Sequence, residues 1–146
     1  MAAEADNLAA SLEGGASGAA VVVALASRSE PTYGALARRM LKDRRKVAEF
    51  FEPDMFADPA RDILLDLFAS GEEGELVSVS SCCIAAAVPS TTALRWIDRL
   101  KQLGLVEQSE DGNDRRRKFV SLTTKGREAM RRYLASISRV QPPAGA

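Results

Sequence analysis

The stretch that decides the fold runs from Val77 to Leu122 and reads VSVSSCCIAAAVPSTTALRWIDRLKQLGLVEQSEDGNDRRRKFVSL. Its first half carries two helical periods separated by Ala87-Val88-Pro89. Ser78 is placed to cap a short helix through Ala87, with Val79, Cys82, Cys83 and Ala86 as its small apolar face. Pro89 opens a second helix, in which Ala93, Trp96, Ile97 and Leu100 follow the i, i+3, i+4, i+7 rule of a single buried stripe. Gly104 stops it. The period then changes. Leu105–Ser109 and Lys118–Leu122 are short strand candidates on either side of Glu110-Asp111-Gly112-Asn113-Asp114, a cluster of turn formers, so a hairpin follows the second helix directly.

The flanking sequence extends this pattern in both directions. Tyr33 to Phe51 reads as a helix with Leu36, Met40, Val47 and Phe51 on its apolar side and Arg or Lys on the others. Asp58-Pro59 gives an N-cap followed by proline at the first helical position. Ile63, Leu64, Leu67 and Phe68 form the face of that helix, which Gly71 and Gly74 close. Thr123 caps a last helix that aligns Met130, Tyr133, Leu134 and Ile137 before Pro142-Pro143. Residues 1–30, made largely of Ala, Gly, Ser and acids, are expected to form a flexible tail. Residues 142–146 form a short second tail, which leaves 31–141 as one domain with its core at 58–126. The expected fold is mainly α with a small β-hairpin: a winged helix-turn-helix domain flanked by N- and C-terminal helices.

Composition narrows the chemistry. The 146 residues contain 20 basic and 20 acidic side chains, no histidine and two cysteines. A zinc site of four Cys or His ligands cannot be built within the chain, nor can a histidine-based triad. No nucleophile–base pair or phosphate-cradling glycine loop is evident, so neither an enzyme nor a cofactor is expected, and no metal site. Adjacent Cys82-Cys83 is poorly placed for an internal disulfide. On the apolar side of a short helix the pair reads as packing rather than as a reactive thiol. The apolar run Ala19 to Ala26 is too short for a membrane span and no basic residue precedes it, so a cytoplasmic protein with no membrane partner is expected.

Net charge is zero, yet its distribution is uneven. Residues 52 to 75 hold Glu52, Asp54, Asp58, Asp62, Asp66, Glu72, Glu73 and Glu75 against Arg61 alone. Bases cluster at 38–46, read equally as a solvated helix face or a basic surface, and at Arg115-Arg116-Arg117-Lys118. With the apolar stripe of the second helix turned inward, Thr91, Arg95, Asp98 and Gln102 point outward, flanked by Thr92 and Arg99. A helix of this kind fits the major groove of DNA, and Ser90, Thr91 and Thr92 let its N-terminus approach phosphate. Arg95 is placed to reach guanine or to clamp a phosphate. At the turn, an arginine from the 115–118 run would project toward a minor groove, oriented by Asp114.

The segment from about Val77 to Gly126 resembles the MarR family of bacterial transcription regulators. The matching residues are Asp98-Arg99-Leu100, Gly104-Leu105-Val106, Asp111, Asp114-Arg115-Arg116 and Leu122-Thr123-Thr124-Lys125-Gly126. The resemblance implies that Asp114 and Arg116 form the wing anchor at the minor groove. It also implies a homodimer on a pseudo-palindromic site of double-stranded DNA. Ala87 stands where such proteins often have glycine, and the C-terminal helical region is short. Dimer contacts are therefore expected from Leu36, Met40, Val47, Met130, Tyr133, Leu134 and Ile137. A small-molecule effector pocket is a family feature to which no residue of this chain is assigned. The expected function is a sequence-specific DNA-binding regulator, a homodimeric repressor with helix 89–103 in the major groove and wing 109–118 at the minor groove. Its proposed DNA contacts are Ser90, Thr91, Thr92, Arg95, Arg99, Asp114, Arg115, Arg116, Arg117 and Lys118. The alternative is a winged-helix module that binds protein and does not read DNA.

Overall fold

A computed structural model describes residues 32–139, so the expected tails at 1–30 and 142–146 lie outside the described residues. The element order is α1 (Tyr33–Lys46), a 3-10 turn (Val47–Glu49), α2 (Pro59–Glu72), β1 (Val77–Ser78), α3 (Val79–Ala85), α4 (Ser90–Gln102), β2 (Val106–Glu110), β3 (Lys118–Leu122) and α5 (Thr124–Arg139). All nine belong to the unit that begins at Tyr33.

Helix α2 is the centre of the core. Asp58 accepts the Arg61 N–H at its start. Ile63, Leu65, Leu67, Phe68 and Ala69 are buried, a belt wider than the single face the periodicity predicts, because α1, α3, α4, α5 and β3 all contact this helix. At its end the Glu75 N–H donates to Ser70 O and the Gly74 N–H to Gly71 O, with Gly74 at φ 74°. That pattern satisfies two carbonyls that the helix would otherwise leave open.

Two expectations for α1 need correction. The helix ends at Lys46 rather than Phe51, and Val47 belongs to the 3-10 turn. Its buried face is Gly34, Ala37 and Leu41, not Leu36, Met40 and Val47. Small residues on the contact line let α1 lie close to α2, while Leu36 and Met40 flank the line and stay half-buried. Phe50 and Phe51 are exposed on the connection that follows, where Phe51 meets Phe56 edge-on at 5.5 Å between ring centroids.

The sheet has three strands in the order β1-β3-β2, all antiparallel. The hairpin pairs Val106 with Leu122 and Gln108 with Val120. β1, which adds Val77 opposite Val120, is two residues long and has no periodicity to announce it. Val77, Val106, Val120 and Leu122 face the core.

Candidate nucleic-acid interface

Ser78 Oγ accepts the Ser81 N–H at 3.1 Å and starts α3 as a cap. The chain then turns through Ala87, whose φ of 57° lies in the left-handed region. Glycine reaches that region without a Cβ clash, and alanine does so at a cost. The residue that departs from the usual glycine therefore occupies the conformation that glycine suits. Pro89 is the N-cap of α4, not its first turn, and no side chain caps the helix. First-turn amides there lack a side-chain acceptor, the condition in which a helix start takes up a phosphate oxygen.

Ala93, Ile97 and Leu100 bury against the core. Trp96 does not join them fully. It is 38% exposed, because it lies on the shoulder of the stripe and its ring is too large to be covered from there. Ser90, Thr91, Arg95 and Arg99 are exposed and Thr92 is half-buried. At the end of α4, the Leu105 N–H donates to Leu100 O and the Gly104 N–H to Lys101 O, with Gly104 at φ 76°. This redirects the chain into β2.

Thr123 latches the base of the wing to that exit. Its hydroxyl donates to Gly104 O at 2.6 Å and accepts the Gly126 N–H at 3.0 Å, while its own N–H donates to Leu105 O. The start of α5 comes so close that a Cβ on Gly126 would lie 2.1 Å from Leu105 O. The Leu122–Gly126 motif is thus a joint between wing, recognition helix and last helix.

At the wing tip, Asp111 accepts the Asn113 N–H, and Asp114 Oδ1 accepts both the Arg116 N–H at 3.0 Å and its Nε–H at 3.4 Å. Asp114 is half-buried, whereas the Arg116 side chain is 93% exposed. The guanidinium is therefore held at its root and bare at its end. Arg115 and Lys118 are exposed. Arg117 is turned back over the Phe119 ring, 5.2 Å from its centroid. Arg95 and Arg116 line two neighbouring grooves that share Leu94 and Gln108; Arg99 lines neither.

Three residues at this face escaped the sequence reading. Lys101 Nζ donates to Gln108 Oε1 at 2.5 Å and ties α4 to β2. Strand alternation carried the signal for Gln108, two residues from the buried Val106. Leu94 is exposed on the wing side of α4, where helical phase sets it beside Ser90 and Lys101.

Three bases of the run on α1 are engaged within the chain, while Arg39, Lys42 and Lys46 are exposed. Arg38 meets Asp66 at 2.8 Å and Glu73 at 2.9 Å and also donates to Ser70. Its pKa is raised, chiefly by the hydrogen bond to Glu73, whose own carboxyl is lowered by the same contact. Arg44 pairs with the buried Asp62, and Arg45 donates to Ala85 O at 2.9 Å. Neither a solvated face nor a DNA surface describes these three.

Cys82 is fully buried and Cys83 nearly so, both as free thiols. Burial, with smaller contributions from Asp66 and Cys83, pushes the Cys82 thiol up to about 12. Such a thiol holds its proton and is unreactive at neutral pH. Among the residues expected at a dimer interface, Leu134 and Met130 are buried within the single chain and are core side chains instead. Tyr133 and Ile137 on α5, like Leu36 and Met40 on α1, keep part of their surface.

A helix-turn-helix with a three-stranded sheet, a recognition helix and a charged wing defines the winged helix-turn-helix class. Residues 63–126 match the winged helix DNA-binding domain family. Over those residues the chain is similar to that family, and the solved structures that resemble it share its fold. MepR of S. aureus, in its DNA-binding conformation, is 20% identical, with a TM-score of 0.51 over 75% of this chain and 79% of MepR. The heme sensor PefR of Streptococcus agalactiae is 15% identical, with a TM-score of 0.50 over 72% of this chain and 70% of PefR. AF1382 from Archaeoglobus fulgidus is 18% identical, with a TM-score of 0.51 over 67% of this chain and 99% of that protein. No curated protein sequence matches the chain. Among the described residues no helix is long and apolar enough to cross a membrane.

Proposed function

We propose that the chain is a homodimeric, sequence-specific transcriptional repressor acting in the cytoplasm, and that it blocks promoter elements by occupying them. The observation that carries this reading is Arg116, bare at the wing tip and held by Asp114, beside an α4 whose outward Thr91 and Arg95 have no partner side chain. Helix 89–103 enters the major groove, where Arg95 reaches a base edge or a phosphate. The wing lies at the minor groove, where an extended guanidinium is attracted by the concentrated negative potential. Ser90, Thr92, Arg99, Arg115 and Lys118 contact the backbone, and Arg117 stiffens the wing from its seat on Phe119. The half-exposed Leu36, Met40, Tyr133 and Ile137 supply the apolar contacts of the dimer. MepR, for which a DNA complex has been solved, supports the reading at the level of fold.

The test is binding of the full chain to a random-sequence duplex library at several salt concentrations. The expected result is a twofold motif and a steep fall of affinity with salt. Arg116→Ala weakens binding to most sequences and reduces the salt slope by about one, whereas Arg95→Ala also changes the motif. A slope near zero without motif enrichment sinks the proposal and favours a protein-binding winged helix.

A further inference from the structure

The outward side of α4 is not uniformly polar. Leu94 is 47% exposed, about a quarter turn from the buried stripe and on the opposite flank from Trp96. It sits where three open grooves meet, an apolar one toward α3 lined by Val79, Ile84 and Val88 and two more polar ones. Of the two more polar grooves, one is bounded by Ser78, Ser80, Asp114, Arg116 and Lys118, the other by Thr91, Arg95 and Asp98 among others. Leu94 is thus the large apolar group exposed where these cations and hydroxyls, with Asp98 and Asp114 among them, give way to the apolar groove.

That surrounding chemistry selects the occupant. An apolar protein surface laid over the two polar grooves would bury Arg95, Arg116 and Lys118 without partners, a desolvation cost that contact with Leu94 and the adjoining apolar groove does not remove. Duplex DNA satisfies the cations with phosphate. Its major groove displays one apolar group on the base edges, the C5-methyl of thymine. We propose that Leu94 is a specificity-determining residue that reads a thymine methyl in the major groove, so that the bound site carries an A·T pair beneath the first turns of α4. The inference rests on the DNA-reading function proposed above and adds a base preference to it.

Deoxyuridine differs from thymidine by that methyl alone, which makes the experiment direct. The duplex enriched from the random library is resynthesised with each thymine replaced singly by uracil, and its affinity for the full chain is measured. One thymine per half-site is expected to lose about fourfold on replacement, the effect of one buried methyl-sized group. In Leu94→Ala that site binds thymine and uracil equally, so the two losses do not add. Leu94→Met keeps an apolar contact and retains the discrimination. Thermal unfolding of both variants checks that the fold is intact, as expected for an exposed side chain. Indifference to uracil at every position overturns the inference and leaves DNA reading in place. So does a loss that persists unchanged in Leu94→Ala, or a motif made only of G·C pairs. Failure of the library to yield any motif overturns the function itself.

Discussion

Arg38, Arg44 and Arg45 of α1 and the arginines of the reading face are opposite in use. On α1, Arg38 spans Asp66, Ser70 and Glu73, Arg44 meets Asp62, and Arg45 reaches a carbonyl of α3. On the reading face, the side chains of Arg95, Arg99 and Arg115 make no hydrogen bond or ion pair among the described residues, and Arg116 meets only Asp114 of its own turn. The difference lies in what stands opposite. α1 runs along α2, whose Asp62 and Asp66, with Glu73 at its C-cap, face it at helical spacing, whereas α4 and the wing tip overlook no such row. A net charge of zero therefore conceals one group of arginines spent on contacts within the chain and another whose charges remain available.

The two regions are also held by different means, and substitutions separate them. The largest effect is expected from Gly126→Ala on the reading side. Backbone crowds backbone there, 2.1 Å from the added Cβ, so neither partner can step aside. A loss of about 4 kcal/mol in urea unfolding is expected, in the range reserved for such clashes. A loss below about 1 kcal/mol would show that the joint yields. Next comes Arg44→Ala, which strands Asp62 in the interior and costs about 3 kcal/mol. It should leave the salt dependence of DNA binding unchanged, while Arg116→Ala should do the reverse and shift stability by no more than about 0.5 kcal/mol. If Arg44→Ala alters the salt slope, the division between spent and available charge is wrong.

Smaller and opposite in sign is Ala87→Gly, expected to stabilise the chain by about 1 kcal/mol because it removes the left-handed strain at the turn. A thermal melt that fails to rise would count against that strain. The least effect is in the pH profile, and the two regions contribute at opposite ends. Glu73 is lowered in the folded state by Arg38, so its contribution is present above its unfolded value and is lost as pH falls through the folded one. Glu73→Gln should flatten the acid limb. Cys82 is raised from 9.0 to about 12, so its contribution is full below 9.0 and is lost as pH rises from there toward 12. Alkylation of Cys82 should track global unfolding throughout that range.

Much of the architecture was legible because it rests on local rules. Asp58-Pro59, Ser78, Gly104 and Thr123 announce their caps in single residues, and Ala93, Ile97 and Leu100 repeat at the helical period. What was illegible depends on partners distant in sequence. The periodicity of α1 cannot tell Ala37 and Leu41 from Leu36 and Met40, because the choice depends on how closely α2 approaches. Trp96 satisfies the spacing rule but not the geometry of the shoulder it occupies. Two-residue β1 exists only because β3 passes beside it. At the candidate site the outward face of α4 followed from phase alone, yet Leu94 was overlooked because exposed apolar residues break the polar pattern that phase leads one to expect. Lys101 and Gln108 become partners only when the wing folds back alongside the helix.

The bond from Arg45 to the carbonyl of Ala85 joins α1 to the end of α3, just before the turn into the recognition helix. Its two ends face unequal evolutionary constraints. Every residue type at position 85 offers the same backbone acceptor, so sequence there can drift under packing limits without touching this tie. Position 45 must supply a long donor, and shortening it severs the link in one step. Variation along α3 and invariance at residue 45 is thus the signature that this contact would leave in related chains.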